Sequence, residues 1–150
     1  MKVLSQNDED GIVDEIFRRI GMKSKTFLEC GTGDGTVNNT VKLLFDGWSG
    51  VWIDGCDKSV GLQQKVFQRW IQQSRLRCIQ SFLDASNIND VIASGGLIGE
   101  IDLLSIDVDG NDLTFWRALR VIQPRGVILE CNACLAPPIT WCLPYDARHC

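Results

Sequence analysis

The stretch "FLECGTGDG", Phe27 to Gly35, sets a short apolar run ending in an acidic residue directly before three glycines at alternate positions. The run reads as a buried strand, and the glycines allow positive φ and bring backbone N–H groups close to a ligand with no Cβ in the way. Two chemistries compete for such a loop. A dinucleotide loop needs G-x-G-x-x-G, with the pyrophosphate resting on the following helix N-terminus. Here Gly31, Gly33 and Gly35 are followed by Thr36, and Asp34 adds negative charge where a pyrophosphate would sit. That turns the loop away from nicotinamide dinucleotides and toward a ligand without phosphates, such as one bearing an amino-acid ammonium group.

Outward from the loop, short apolar runs alternate with segments of helical spacing, which is the βαβ signature. "TFLEC", "GVWID", "RCIQS", "IDLLSID" and "GVILEC" read as strands buried on both faces of a parallel sheet. Between them the spacing predicts helices over Val37–Phe45, Ser59–Gln73, Asn87–Ala93 and Asn111–Val121. A first helix in "GIVDEIFRRIG" places Ile12, Val13, Ile16, Phe17 and Ile20 toward the sheet and ends at Gly21 as C-cap. Trp48, Trp52, Trp70 and Trp116 read as core. The expected fold is α/β, a Rossmann-like three-layer α/β/α sandwich with a mainly parallel sheet, forming one domain over residues 1–150.

The 150 residues are 45% hydrophobic and 23% charged, enough for one packed core. A net charge of -4 without a run of Lys or Arg argues against nucleic acid as partner. No stretch has the length of a membrane span or the layout of a secretion signal, so the expected location is cytoplasmic, away from membranes. Seven cysteines, an odd number, suggest reduced thiols, with Cys30, Cys78 and Cys131 as small buried apolar groups. Cys131, Cys134, Cys142, His149 and Cys150 leave a zinc knuckle open, although a strong zinc signal would be two closely spaced pairs. Nucleophile and P-loop signatures are missing, and the single histidine, His149, has no evident triad partner, which disfavours hydrolases.

The polar clusters all follow strands, where an open parallel sheet binds its ligand. Asp54 ends the second strand about 20 residues beyond the loop, where a carboxylate accepts ribose hydroxyls; the alternative is a turn former with Gly55. Asp84 and Asn87 follow the third strand, as adenine contacts or as an ordinary N-cap. "SIDVDGND" crowds Asp107, Asp109 and Asp112, which is costly unless a cation or proton offsets it. An EF-hand is excluded because Gly110 falls at position 4 instead of 6. Asp109 and Asp112 serve either a reactive centre or a helix cap, while Asp107 favours function. Glu130 and Asn132 end the fifth strand toward the same crevice.

In order, "ECGTGDG", "VWIDG", "NIN", "LLSIDVDGND" and "VILECN" resemble the motifs of class I S-adenosylmethionine-dependent methyltransferases of the FkbM-like group. The opening "SQNDEDGIV" is similar to a segment that lies over the cofactor in that family. The resemblance implies that Gly31, Gly33 and the Glu29 side of the loop hold the methionine part of S-adenosylmethionine, with Gly35 also in the cofactor-binding loop, that Asp54 holds its ribose, and that Asp84 or Asn87 touches its adenine. Asp107 would lie near the methyl group as base or orienting residue. The implied reaction is methyl transfer to an oxygen of a small-molecule or glycan acceptor. Similarity stops at "PYD", so the expected sheet lacks the family's last two strands; its exposed edge would invite a homodimer. A catalytically silent cofactor-binding module and a nicotinamide-dependent oxidoreductase are the alternatives.

Overall fold

The structure, a computed structural model, describes residues 9–131 and 138–147. Its elements are α1 (Glu9–Ile20), β1 (Thr26–Cys30), α2 (Val41–Phe45), β2 (Ser49–Asp54), α3 (Asp57–Val66), α4 (Gln68–Gln72), β3 (Leu76–Gln80), α5 (Ile88–Ser94), β4 (Gly99–Ile106), α6 (Asp112–Ala118) and β5 (Ile122–Leu129). The five strands are all parallel, in the order β3-β2-β1-β4-β5. The order reverses between β1 and β4, so a crevice opens beyond their carboxyl ends. The expected Rossmann-like α/β/α architecture is what the chain adopts.

Strand pleating sends neighbouring residues to opposite layers. Leu28, Val51, Ile53, Leu104 and Ile106 pack on one face with Ile88, Ile92 and Phe115 of the helices. Phe27, Trp52 and Leu103 pack on the other with Val13 and Phe17 of α1 and with Leu43, Leu44 and Phe67. Gly50 lets Phe27 lie across β2, since a Cβ there would come 2.3 Å from the Phe27 ring. The central strands β1, β2 and β4 are thus covered on both faces, as parallel sheets require. The edge strands β3 and β5, expected to be buried likewise, are only partly covered, because each has a neighbour on one side alone among the described strands.

Several boundaries differ from the sequence reading for identifiable reasons. The helix expected from Val37 starts only at Val41, because the buried Glu29 carboxylate takes the N–H groups of Asn39 and Thr40, and the Asn38 side chain takes that of Val41. The helix expected over Ser59–Gln73 breaks at Phe67, where the ring seats edge-on against Trp52 at 4.8 Å. β5 begins at Ile122, with Pro124 inside it, which an edge strand tolerates. The last helix accordingly ends at Ala118, not Val121.

Only Val13 and Phe17 of the α1 stripe reach the sheet; Ile12, Ile16 and Ile20 are exposed, because the buried arc is centred toward Asp10. Gly21 does cap the helix, its N–H bonding the Phe17 carbonyl at 2.9 Å with φ 73°. Trp48 and Trp52 are core, whereas Trp116 lies on the outer side of α6 and is 44% exposed. Cys30 is buried and Cys78 half-buried, but Cys131 is exposed, beyond the end of β5. No helix among the described residues is long and apolar enough to cross a membrane.

Candidate functional site

The crevice is built by interlocking strand ends. The Gly31 N–H bonds the Ile53 carbonyl of β2 at 2.9 Å, and the Asp107 N–H bonds the Cys30 carbonyl of β1 at 3.0 Å. Gly31 has φ 78°, and a Cβ on it would lie 1.6 Å from the Asp107 carbonyl oxygen, so only glycine lets β1 leave the sheet this close to β4. One turn on, the Gly33 N–H donates to Asp54 Oδ2 at 2.7 Å, while Asp54 Oδ1 accepts the Cys56 N–H at 2.8 Å. Each Asp54 oxygen keeps a lone pair for another donor. Gly35 points the other way, buried against Trp52 and Phe67.

Beneath the loop lies Glu29, 1% exposed. One oxygen accepts the Thr40 N–H and hydroxyl at 3.1 and 2.5 Å; the other accepts the Asn39 N–H at 2.9 Å and faces the Ser105 hydroxyl at 3.4 Å. The Trp52 indole N–H in turn donates to the Thr40 hydroxyl oxygen at 2.7 Å, which fixes the Thr40 proton toward Glu29. Burial pushes the Glu29 carboxyl up to about 7, and the four donors keep it from rising further. Gln63 of α3, a residue no sequence motif singled out, completes the support. It is fully buried and its amide donates to the Thr32 hydroxyl at 2.8 Å and to the Gly33 carbonyl at 2.6 Å. Asp34 folds onto its own loop, accepting the Thr36 hydroxyl and N–H, which hold its carboxyl below the usual range and leave an anion beside the glycines.

Two cavities open above this floor, both lined by Gly31 and Asp107. One, of about 510 Å³, has walls of Asp54, Cys56, Phe82, Leu83, Val108 and Phe115. The other, of about 540 Å³, is lined by Glu29, Thr32, Asn38, Ile128 and Glu130. Both fall in the roughly 300–1,000 Å³ range of small-molecule sites. A further cleft of about 580 Å³ lies at the amino ends of the strands, around Thr26, Gly50 and Leu76, away from these polar groups. Asp84 and Asn87 line neither crevice cavity. Asp84 accepts from Ser86 and Asn87, and Asn87 returns a bond to the Asp84 N–H and donates to the Phe82 carbonyl. Their side chains make the turn that sets Phe82 and Leu83 in the cavity wall.

Asp107, Asp109 and Glu130 bring carboxylate oxygens within 4.8 Å of one another. Partial burial, then the charges of Glu130, Asp112 and Asp109, raise the Asp107 carboxyl above its ordinary range. Asp112 is a loop clamp, accepting the N–H groups of Val108 and Gly110 at 3.1 and 2.9 Å. Cys131 and Cys142 are exposed free thiols. Ser5, Gln6, Asn132, Cys134, His149 and Cys150 lie outside the described residues.

No family model matches the chain, and no curated protein does. Solved structures do. An O-methyltransferase from Bacillus cereus in complex with S-adenosylhomocysteine superposes with a TM-score of 0.57 at 17% identity, covering 79% of this chain and 53% of that one. An S-adenosylhomocysteine-bound methyltransferase from Podospora anserina gives 0.59 at 16% identity, over 85% of this chain and 53% of that one. A methyltransferase from Thiobacillus denitrificans in complex with S-adenosyl-L-homocysteine gives 0.54 at 13% identity, over 83% and 48%. The chain spans about half the length of these structures. The fold of this chain is therefore the one shared by S-adenosylmethionine-dependent methyltransferases.

Proposed function

We propose that the crevice binds S-adenosylmethionine and that the chain serves methyl transfer to an oxygen of a small-molecule or glycan acceptor. One observation carries the reading: on a fold shared with methyltransferases, the positive-φ glycine loop and Asp54 meet directly, through the Gly33 to Asp54 bond, at the mouth of the 510 Å³ cavity. The residues fit the cofactor. Asp54 has lone pairs for two ribose hydroxyls, the apolar walls from Phe82, Leu83, Val108 and Phe115 suit a flat ring, and the exposed carboxyl groups of Asp107 and Glu130 suit an ammonium group.

Bound here, S-adenosylmethionine supplies an activated methyl group for in-line displacement. The chain's own part is placement and proton handling. Gly31 and Gly33 shape the floor, and Glu29 and Gln63 hold that floor rigid from below. Asp107, on the ridge between the cavities, accepts the acceptor's hydroxyl proton as the oxygen–carbon bond forms, and its raised affinity for protons suits that task. The same proposal places the chain in the cytoplasm, in keeping with its free thiols. It also gives β5, paired with β4 alone among the described strands, to a second copy of the chain; a strictly monomeric protein in equilibrium sedimentation would remove that element.

Calorimetry with S-adenosylmethionine, S-adenosylhomocysteine and NADH tests the reading. Micromolar binding of the first two and none of NADH is expected. Binding of NADH alone would replace the reading with an oxidoreductase, and S-adenosylhomocysteine binding without methyl transfer to any acceptor pool would leave a silent binding module.

A further inference from the structure

Residues 138–147 are all exposed, though Leu143 and Tyr145 have more than half of their surface covered, and the segment is fastened at two points to the walls of the 510 Å³ cavity. Asn111, between β4 and α6, is 4% exposed and commits both ends of its amide to the backbone of Asp146. Its Nδ2 donates to the Asp146 carbonyl at 2.9 Å, and its Oδ1 accepts the Asp146 N–H at 3.3 Å. Asparagine at an N-cap position ordinarily accepts from the first helical turn. Asn111 stands at the N-cap of α6 and makes no such bond. Its capping capacity has been given to the distant segment instead. The second fastening is on the opposite wall, where the Tyr145 hydroxyl accepts the Ala85 N–H at 3.2 Å, two residues beyond Leu83.

Asn111, Val108 and Phe115 belong to one wall of that cavity, and Ser81, Phe82 and Leu83 to the other. A segment bonded to both sides fixes their separation. We infer that residues 138–147 form a strap that holds the two walls at the spacing the adenosine half of the cofactor requires, with Asn111 and Tyr145 as positioning residues. This rests on the cofactor reading above. The strap itself needs no contact with the ligand, since neither Tyr145 nor Asp146 lines the cavity, whereas Asn111 is the wall residue it grips. Because coupling is reciprocal, a ligand that fits the strapped spacing also tightens the strap.

The test uses the full chain, with Asn111→Ala and Tyr145→Phe as variants; the second keeps the ring and removes only the hydroxyl, so it remains informative if the first misfolds. S-adenosylhomocysteine affinity is measured by calorimetry, and amide exchange at Ala85 and Asp146 is followed with and without that ligand. Expected is a roughly five-fold or greater loss of affinity in each folded variant, with ligand-induced slowing of exchange at Ala85 and Asp146 in the wild type only. Wild-type protein that binds S-adenosylhomocysteine while Tyr145→Phe binds equally well or tighter, or without slowed exchange at these amides, overturns the strap and leaves the cofactor reading standing. Wild-type protein that does not bind S-adenosylhomocysteine at all overturns both.

Discussion

Replacing Gly31 by alanine separates the interlocked strand ends from an ordinary glycine turn. The added Cβ would lie 1.6 Å from the Asp107 carbonyl oxygen, 2.7 Å from its carbon and 3.3 Å from Val108 Cγ1. Retreat is blocked in two directions, since the Gly31 N–H is held by Ile53 and the Asp107 N–H by Cys30. Alanine at φ 78° itself costs about 1–2 kcal/mol. Losing the strand-end hydrogen bonds that tie β1 to β2 (Gly31 to Ile53) and to β4 (Asp107 to Cys30), as the Gly31 backbone is forced out of place, adds about 1 kcal/mol each. The total of roughly 4 kcal/mol lowers Tm by about 10 °C in a chain of this size. Gly33 is the internal control. It also has positive φ, 53°, but a Cβ there meets nothing within 4 Å, so Gly33→Ala is expected to cost only the local strain of about 1 kcal/mol, or about 3 °C. Thermal unfolding followed by circular dichroism measures both. If Gly31→Ala melts within a degree or two of wild type, or Gly33→Ala is the more damaging, the interlocked geometry is wrong.

Three further outcomes follow from the same geometry. Glu29 holds its proton up to about pH 7 when folded but releases it near 4.5 when unfolded, so its contribution to stability falls as pH rises between those values, by about 3 kcal/mol. In denaturant titrations across that window the Glu29→Gln variant is expected to lack this share of the slope, and an unchanged slope contradicts the assignment. Gln63→Leu fills similar volume but leaves the Thr32 hydroxyl and Gly33 carbonyl without their donor, so a loss of about 1–2 kcal/mol in stability is expected together with weaker S-adenosylhomocysteine binding; unaltered affinity would detach Gln63 from the loop's function. Asp107→Asn is expected to bind S-adenosylhomocysteine as wild type does and to lose about 10²-fold or more in transfer rate to a hydroxyl acceptor, a rate that would persist if Asp107 only orients the loop.

The sheet was legible because its strands are short apolar runs set behind glycines and aspartates, and that alternation survives any detail of packing. "TFLEC" falls on β1 residue for residue. The errors lie where a distant side chain overrides local spacing. The late start of α2 is imposed by Glu29, ten residues earlier, and the break at Phe67 by Trp52 on another strand. Pro124 hid the first half of β5, because only the sheet order shows that strand to be an edge. In the crevice, the placement of Gly31, Gly33, Asp54 and Asp107 together was readable, since each follows a strand. The buried work of Glu29 and Gln63 was not. A glutamate before a glycine loop reads equally well as a ligand contact, and Gln63 lies within an unremarkable "LQQKV" on α3. Asp84 and Asn87 illustrate the same ambiguity: their spacing fits adenine contacts, and the geometry shows a self-contained turn.

The central claim, that a sulfonium cofactor occupies the crevice beyond β1, β2 and β4, is tested most directly by titrating ¹⁵N-labelled protein with S-adenosylhomocysteine and mapping the amides that respond. Saturable shifts are expected at Gly31, Gly33, Cys56, Leu83 and Val108, which surround the 510 Å³ cavity or its glycine floor, and these shifts should be lost in Asp54→Ala. Shifts confined to Thr26, Gly50 and Leu76 at the amino ends of the strands, or a response that Asp54→Ala leaves intact, would contradict the account.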